Sequence, residues 1–212
     1  MQRLLRVFFH LLYHQFAWAY DLVAAAVSLG RWKSWVLSVT PFLRGRVLEI
    51  GFGPGHLQAA LHTSGLEAFG LDESRQMCRQ ASRRLRKNHY PVRLYNGYAQ
   101  NLPFAGDSFD CVAATFPSEY IFEAQTLAEI RRVLKPGGQL LIVPSAWITG
   151  KNWLERLAAG LFRVTGQAGA LERVLPGMER LIAGSGFTVR HVLVEQAGSR
   201  VLVLVAEKGI RN

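Results

Sequence analysis

The segment Glu49-Ile-Gly-Phe-Gly-Pro-Gly55 sets three glycines at alternate positions directly after an aliphatic run, Val47 to Ile50. Glycine lacks Cβ, so it occurs where a chain must turn tightly and bring its backbone against a ligand. Gly51, Gly53 and Gly55 read as such a turn at the end of a strand. The G-x-G-x-G pattern continues with His56 and not toward a later glycine, which leaves the pyrophosphate fingerprint of dinucleotide sites incomplete. Twenty-one residues after Gly51, Asp72 closes a second aliphatic run. An acid there can accept the protons of both ribose hydroxyls. Strand, loop and acid together point to a nucleotide-type ligand; a tight turn with a helix-capping aspartate is the alternative.

These residues need a scaffold that delivers strand ends to one edge. From Arg46 onward, short aliphatic or β-branched runs alternate with helical patterns, the signature of βαβ units and a mainly parallel sheet. Strands are expected near Arg46 to Ile50, Glu67 to Leu71, Val92 to Asn96, Phe109 to Thr115 and Gln139 to Pro144. The first helix should start just after Pro54 and the second near Ser74, a suitable N-cap. Lys135-Pro-Gly-Gly138 reads as a turn before the fifth strand. Phe187 to Val194 and Arg200 to Glu207, joined by Ala197-Gly-Ser, read as an antiparallel hairpin. Between the fifth strand and the hairpin, residues 146–175 form an insertion containing Trp147, Trp153, Leu157, Leu161 and Phe162. It either covers a site at the sheet edge or contributes ordinary core.

At 212 residues, the chain suits one fairly large domain. With 50% hydrophobic and 19% charged residues, it sits at the apolar end of soluble proteins and far from disorder. A formal charge of +10 fits nucleic acid, an anionic membrane surface or an acidic small substrate. Cys78 and Cys111 encode neither a disulfide framework nor a zinc site, no metal is expected, and a reducing cytoplasm is the simplest home. In the N-terminal stretch, Arg3, Arg6, His10 and His14 share one helical face opposite Leu5, Phe8, Phe9, Leu12 and Phe16. Polar interruptions at His10, His14, Gln15 and Asp21 argue against a cleaved signal or a spanning helix. Such an amphipathic helix either lies in a bilayer interface or packs on its own domain.

Glu49-Ile-Gly-Phe-Gly-Pro-Gly55, Gly70-Leu-Asp-Glu-Ser74, Asn101-Leu-Pro-Phe104, Asp107-Ser-Phe-Asp110 and Leu134-Lys-Pro-Gly-Gly138 resemble, in order and spacing, successive motifs of class I S-adenosylmethionine-dependent methyltransferases. Within that class they resemble the branch containing the ubiquinone and menaquinone C-methyltransferases, methyltransferase type 11. The resemblance covers roughly Tyr13 to Lys208 and includes Tyr13 to Asp21, similar to the branch's tyrosine-rich N-terminal helix. It implies a Rossmann-like α/β fold, with a seven-stranded mainly parallel sheet, a C-terminal antiparallel hairpin and helices on both faces. It implies an N-terminal helical cap over residues 1–40 and a methyltransferase domain over 41–212. It also implies that S-adenosylmethionine is the cofactor. Glu49 and the backbone of Gly51 and Gly53 would hold its methionine part, with Gly55 completing the loop, and Asp72 its ribose. Glu73 or Met77 would flank the adenine, and Ala99 would lie at its edge. Tyr98 stands where the family usually has an acid and is able to stack or hydrogen-bond there.

Thr115-Phe116-Pro-Ser-Glu-Tyr120 would lie beside the transferring methyl, with Thr115 and Phe116 among the cofactor contacts. This segment lacks the Asn/Asp-Pro-Pro-Tyr/Phe sequence of amino-methylating nucleic-acid enzymes, and no Pro-Cys nucleophile occurs. If the acceptor must lose a proton, His14, Glu119 and Tyr120 are the candidate bases. Tyr20 is a candidate gate or methyl-side contact. The expected acceptor is small and apolar or lipid-like, reached from an anionic membrane surface on the cytoplasmic side. An RNA methyltransferase, favoured by net charge, and a non-catalytic protein of the same fold are the alternatives.

Overall fold

The computed structural model describes residues 28–149 and 167–210. His14, Tyr20 and the amphipathic N-terminal stretch lie outside the described residues, as do Trp153, Leu157, Leu161 and Phe162 of the insertion. The chain runs α1 (Trp32–Leu37), β1 (Arg46–Ile50), α2 (His56–Thr63), β2 (Glu67–Asp72), α3 (Arg75–Lys87), β3 (Leu94–Asn96) and β4 (Phe109–Thr115). It continues with α4 (Ala124–Val133), β5 (Leu134–Ile148), α5 (Gln167–Gly184), β6 (Phe187–Gln196) and β7 (Ser199–Lys208).

Seven strands form one sheet in the order β3-β2-β1-β4-β5-β7-β6. β3 to β5 pair in parallel, and β7 enters antiparallel between β5 and β6. The chain therefore winds one way from β1 to β3 and the other way from β4 to β5. A crevice opens at that reversal, beyond the carboxyl ends of β1 and β4. Both of those strands end in the segments that the motifs single out.

Side-chain alternation along the strands builds two cores. Val47, Cys111, Leu141 and Val203 point toward α1 and α2, where they meet Trp35, Leu57 and Leu61. Leu48, Val112, Leu140 and Leu204 point the other way, toward Leu127 and Ile130 of α4 and Ile182 of α5. Strands buried on both faces need near-continuous apolar runs, as β4 and β7 have. The Trp35 indole N–H donates to Ser199 Oγ at 2.9 Å in this interior, fastening α1 to β7.

Several boundaries differ from the sequence expectation. Lys135-Pro-Gly-Gly138 is not a turn ahead of the strand. β5 begins at Leu134, and the four residues bulge out between the pairs Phe109–Leu134 and Cys111–Gln139. The bulge is held by Asp110, whose Oδ1 accepts from Lys135 Nζ and whose Oδ2 accepts from the Arg46 N–H, each at 2.8 Å. At its far end, β5 runs through Ala146 to Ile148, so the start of the expected insertion is strand, paired with Ser199 to Val201. The helix after β1, α2, starts just after Pro54 as expected, with Gly55 the N-cap and His56 the first helical residue. Ser74 caps α3 as expected, its Oγ accepting from the Met77 N–H at 3.3 Å. The hairpin forms with three more residues at its inner ends, Glu195, Gln196 and Ser199, closing on Ala197-Gly198, and with Lys208 added at its outer end.

Candidate functional site

At the end of β1 the chain enters three left-handed glycines, with φ of +71° at Gly51, +50° at Gly53 and +81° at Gly55. An L side chain is strained in that region, which accounts for the alternate glycines. The Gly51 N–H donates to Leu71 O at 2.8 Å, so the loop leaves the sheet from β2 as well as from β1. A Cβ on Gly51 would lie 2.7 Å from Tyr120 Oη, and one on Gly55 would lie 2.8 Å from Ala81 Cβ; at Gly53 it would meet open space.

Asp72 ends β2 and is 2% exposed. Its Oδ2 accepts from the Gly53 N–H at 2.9 Å and its Oδ1 from the Ser74 N–H at 2.8 Å. These two backbone bonds fix the carboxylate at the end of β2, against the glycine loop. Asn96 supports this corner, donating through Nδ2 to Asp72 O at 2.9 Å and Glu73 O at 2.8 Å. Nothing in the sequence pattern singled out Asn96.

Glu49 is 1% exposed and points to the α2 side of the sheet. Its Oε2 accepts from Gln58 Nε2 at 2.9 Å, and the same amide donates to Phe69 O at 3.0 Å. Burial, aided by the charge of Asp72 and opposed by the Gln58 bond, pushes the Glu49 carboxyl up to about 8. Gln58, nine residues after Glu49 and facing the interior from α2, was missed in the sequence. A lone glutamine in a helix carries no signal until the helix is packed.

The segment after β4 closes the site from the other side. Tyr120 lies on a 3-10 turn, Glu119–Phe122. Burial, and then the charges of Asp72, Glu73 and Glu49, raise its hydroxyl above the usual phenol range. Its hydroxyl is therefore protonated at neutral pH and offers a donor. Phe116 has φ of +50°, unusual for a bulky residue, and its N–H donates to Val143 O at 2.7 Å. Its ring meets Trp32 of α1 at 4.5 Å between centroids and Trp35 at 6.4 Å. Trp32, like Asn96 and Gln58, is a residue that sequence reasoning did not select.

The structure thus brings together Glu49, Gly51, Gly53, Gly55, Asp72, Glu73 and Tyr120. Thr115 is half-buried at the end of β4, in register with Val143. Ala99 is buried in the core on the α4 side. Met77 is fully buried on α3 against Phe52 and Ala81, beneath the loop. Tyr98 is 66% exposed, and Glu119 is also exposed.

The cradle's character is acidic. Glu49, Asp72 and Glu73 surround the glycine loop, a poor setting for a diphosphate and a good one for a cation. A buried carboxyl held near pH 8 for want of a positive partner would gain one from a sulfonium or an ammonium group. A carboxylate fixed at the end of β2 beside the loop suits the hydroxyls of a ribose. S-adenosylmethionine combines these groups and carries no phosphate, so the residues present fit it.

Residues 47–138 match the family model described as a methyltransferase domain. The demethylmenaquinone methyltransferase of Clavibacter sepedonicus is 35% identical over 129 residues, covering 58% of this chain and 52% of that protein. The ubiquinone/menaquinone biosynthesis C-methyltransferase of Syntrophotalea carbinolica is 29% identical over 211 residues, covering 95% of this chain and 85% of that protein. The chain spans about half the length of the first curated relatives it matches. The crystal structure of a methyltransferase from Pyrococcus furiosus shares the fold, with a TM-score of 0.57, 20% identity, and coverage of 84% of this chain and 82% of that one.

Proposed function

We propose that this chain, whose residues 47–138 match a methyltransferase domain, is a class I methyltransferase that transfers the methyl group of S-adenosylmethionine to a small, apolar or lipid-like acceptor. The observation that carries the donor half is the acidic cradle around Gly51 to Gly55, with Glu49 buried and raised toward 8. In this reading Glu49 balances the positive charge of the donor's methionine part, Asp72 holds the ribose, and Gly51 and Gly53 admit the donor against the backbone. The sulfonium supplies an electrophilic methyl, so the protein's work is to position the acceptor in line and exclude water.

The acceptor half rests on the surfaces facing that methyl. Trp32 and Phe116 make an aromatic wall, and Tyr120 presents a protonated hydroxyl next to Gly51. Demethylmenaquinone and ubiquinone/menaquinone biosynthesis methyltransferases among the relatives support a small lipid-like acceptor. Tyr98 and Glu73 are proposed to border the adenine. Tyr20 and His14 are proposed to complete the methyl side, and Glu119 is the remaining candidate base. Access from a membrane surface is part of the proposal; among the described residues, no helix is long and apolar enough to cross a membrane.

Labelled methyl supplied on S-adenosylmethionine to a cell extract, then separated into lipid, RNA and protein fractions, tests the acceptor. Label in the lipid fraction is expected. Label confined to RNA or protein would overturn the acceptor, and calorimetry showing no binding of S-adenosylmethionine or S-adenosylhomocysteine would overturn the enzyme.

A further inference from the structure

The helical layer on one face of the sheet is one-sided in charge. α1, α2 and α3 carry Lys33, Arg75, Arg79, Arg83, Arg84, Arg86 and Lys87, with no aspartate or glutamate. On the opposite face, α4 and α5 mix Glu129 and Glu179 with Arg131, Arg132 and Arg180. At 100° per residue, Arg75, Arg79, Arg83, Arg86 and Lys87 fall within an arc of about 120°, and all five are exposed. Met77, Ala81 and Leu85 occupy the buried side of the same helix.

Folding alone does not favour this arrangement. Arg75 sits in the first turn of α3, where the helix dipole is positive. Arg75, Arg79, Arg83 and Lys87 follow one another at spacings of four, which sets like charges side by side. A negative partner would offset both costs. An open groove of about 400 Å³ lies on the same layer, with Lys33, Ala59, Ala60, Thr63, Arg84 and Tyr90 among the residues that line it. It has room for a phosphate headgroup.

We propose that the α1–α2–α3 layer is the face that docks on an anionic phospholipid surface. The choice of lipid over nucleic acid rests on the lipid-like acceptor reading and on shape. The cations form a row of about 18 Å along the outer side of a single helix, suited to a flat array of phosphates. Binding a nucleic-acid strand calls for a groove with stacking aromatics, and α3 has no aromatic residue. α3 starts three residues after Asp72, so the docked face adjoins the cofactor cradle.

The test is flotation of the intact protein with vesicles of phosphatidylcholine, alone or mixed in equal parts with phosphatidylglycerol, at low and high salt. Binding is expected only to the mixed vesicles and is lost as salt rises. Each cation near such a surface contributes about a fivefold gain in binding. Arg79→Glu/Arg83→Glu/Arg86→Glu is therefore expected to bind at least about a hundredfold more weakly, with its calorimetric affinity for S-adenosylmethionine unchanged. Arg79→Gln/Arg83→Gln/Arg86→Gln reads the same loss if the glutamate variant does not fold. Equal binding to neutral vesicles, undiminished binding by the folded variants, or tighter salt-dependent binding to RNA than to vesicles would overturn the proposal. These vesicles act as a surface and not as the methyl acceptor, so failure to find label in the lipid fraction leaves this result standing, and the converse also holds.

Discussion

The Gln58 amide donates to the Glu49 carboxyl at 2.9 Å and to Phe69 O at 3.0 Å inside a buried site. A neutral amide satisfies one oxygen without compensating a charge, so burial prevails and the carboxyl rises to about 8.

A pH dependence follows, with a definite sign. Between the ordinary value of 4.5 and about 8 the folded chain holds a proton on Glu49 that the unfolded chain releases. Glu49 therefore lowers the stability of the ligand-free protein as pH rises through that window, and Glu49→Gln should flatten the slope in denaturant titrations. A cationic donor favours the ionised form. S-adenosylmethionine binding should strengthen with pH up to about 8 and release a proton, seen calorimetrically in buffers of different ionisation enthalpy. An enthalpy independent of buffer at neutral pH would contradict the charge-balancing role.

Asp72→Ala removes the acceptor of the Gly53 and Ser74 N–H groups along with the proposed ribose contact. Charge-assisted hydrogen bonds contribute about 1.5 to 3 kcal/mol each, so affinity for S-adenosylmethionine should fall by about a hundredfold or more. Asp72→Asn retains one acceptor oxygen and should lie between. Affinities within a factor of two of the wild type would remove Asp72 from the site.

The three loop glycines should respond differently to alanine. Gly55→Ala forces a Cβ to 2.8 Å from Ala81 Cβ and 3.1 Å from its Cα, and α3 must move to relieve it. A loss of about 1 to 3 kcal/mol is expected. Gly53→Ala meets open space and should cost only about 1 kcal/mol of left-handed strain, while impairing donor binding more than stability. At Gly51 the obstacle is the Tyr120 hydroxyl, which can swing aside, so the stability loss should be smaller than at Gly55. Thermal unfolding and calorimetry together would reveal this order.

Tyr120→Phe keeps the ring and deletes a hydroxyl held protonated among Asp72, Glu73 and Glu49. Folding should survive, kcat should fall by roughly tenfold as one positioned donor is lost, and the alkaline limb of the pH–rate profile should stay in place. An alkaline limb that vanishes in the variant would show that Tyr120 titrates during turnover, and the protonated-donor role would then be wrong.

What the amino-acid order determined is local. The aliphatic run into Gly51, the cap at Ser74 and the Ala197-Gly198 reversal depend on residues within a few positions of each other, so dihedral preference and side-chain alternation already specify them. The acid at Asp72 was legible because β1, its loop, α2 and β2 have a standard length. Tertiary packing decided what depends on partners far apart in the chain. It faced Gln58 toward Glu49, set Asn96 behind Asp72 and brought Tyr120 from beyond β4 onto Gly51. It also turned Met77 inward and made Lys135 to Gly138 a bulge tied to Asp110. The spacing of basic residues along α3 is local, but only the sheet order put α1, α2 and α3 on one face, joining those residues to two further described helices that carry no carboxylate. A helical pattern fixes which residues share a face, and only the packed sheet determines what that face meets.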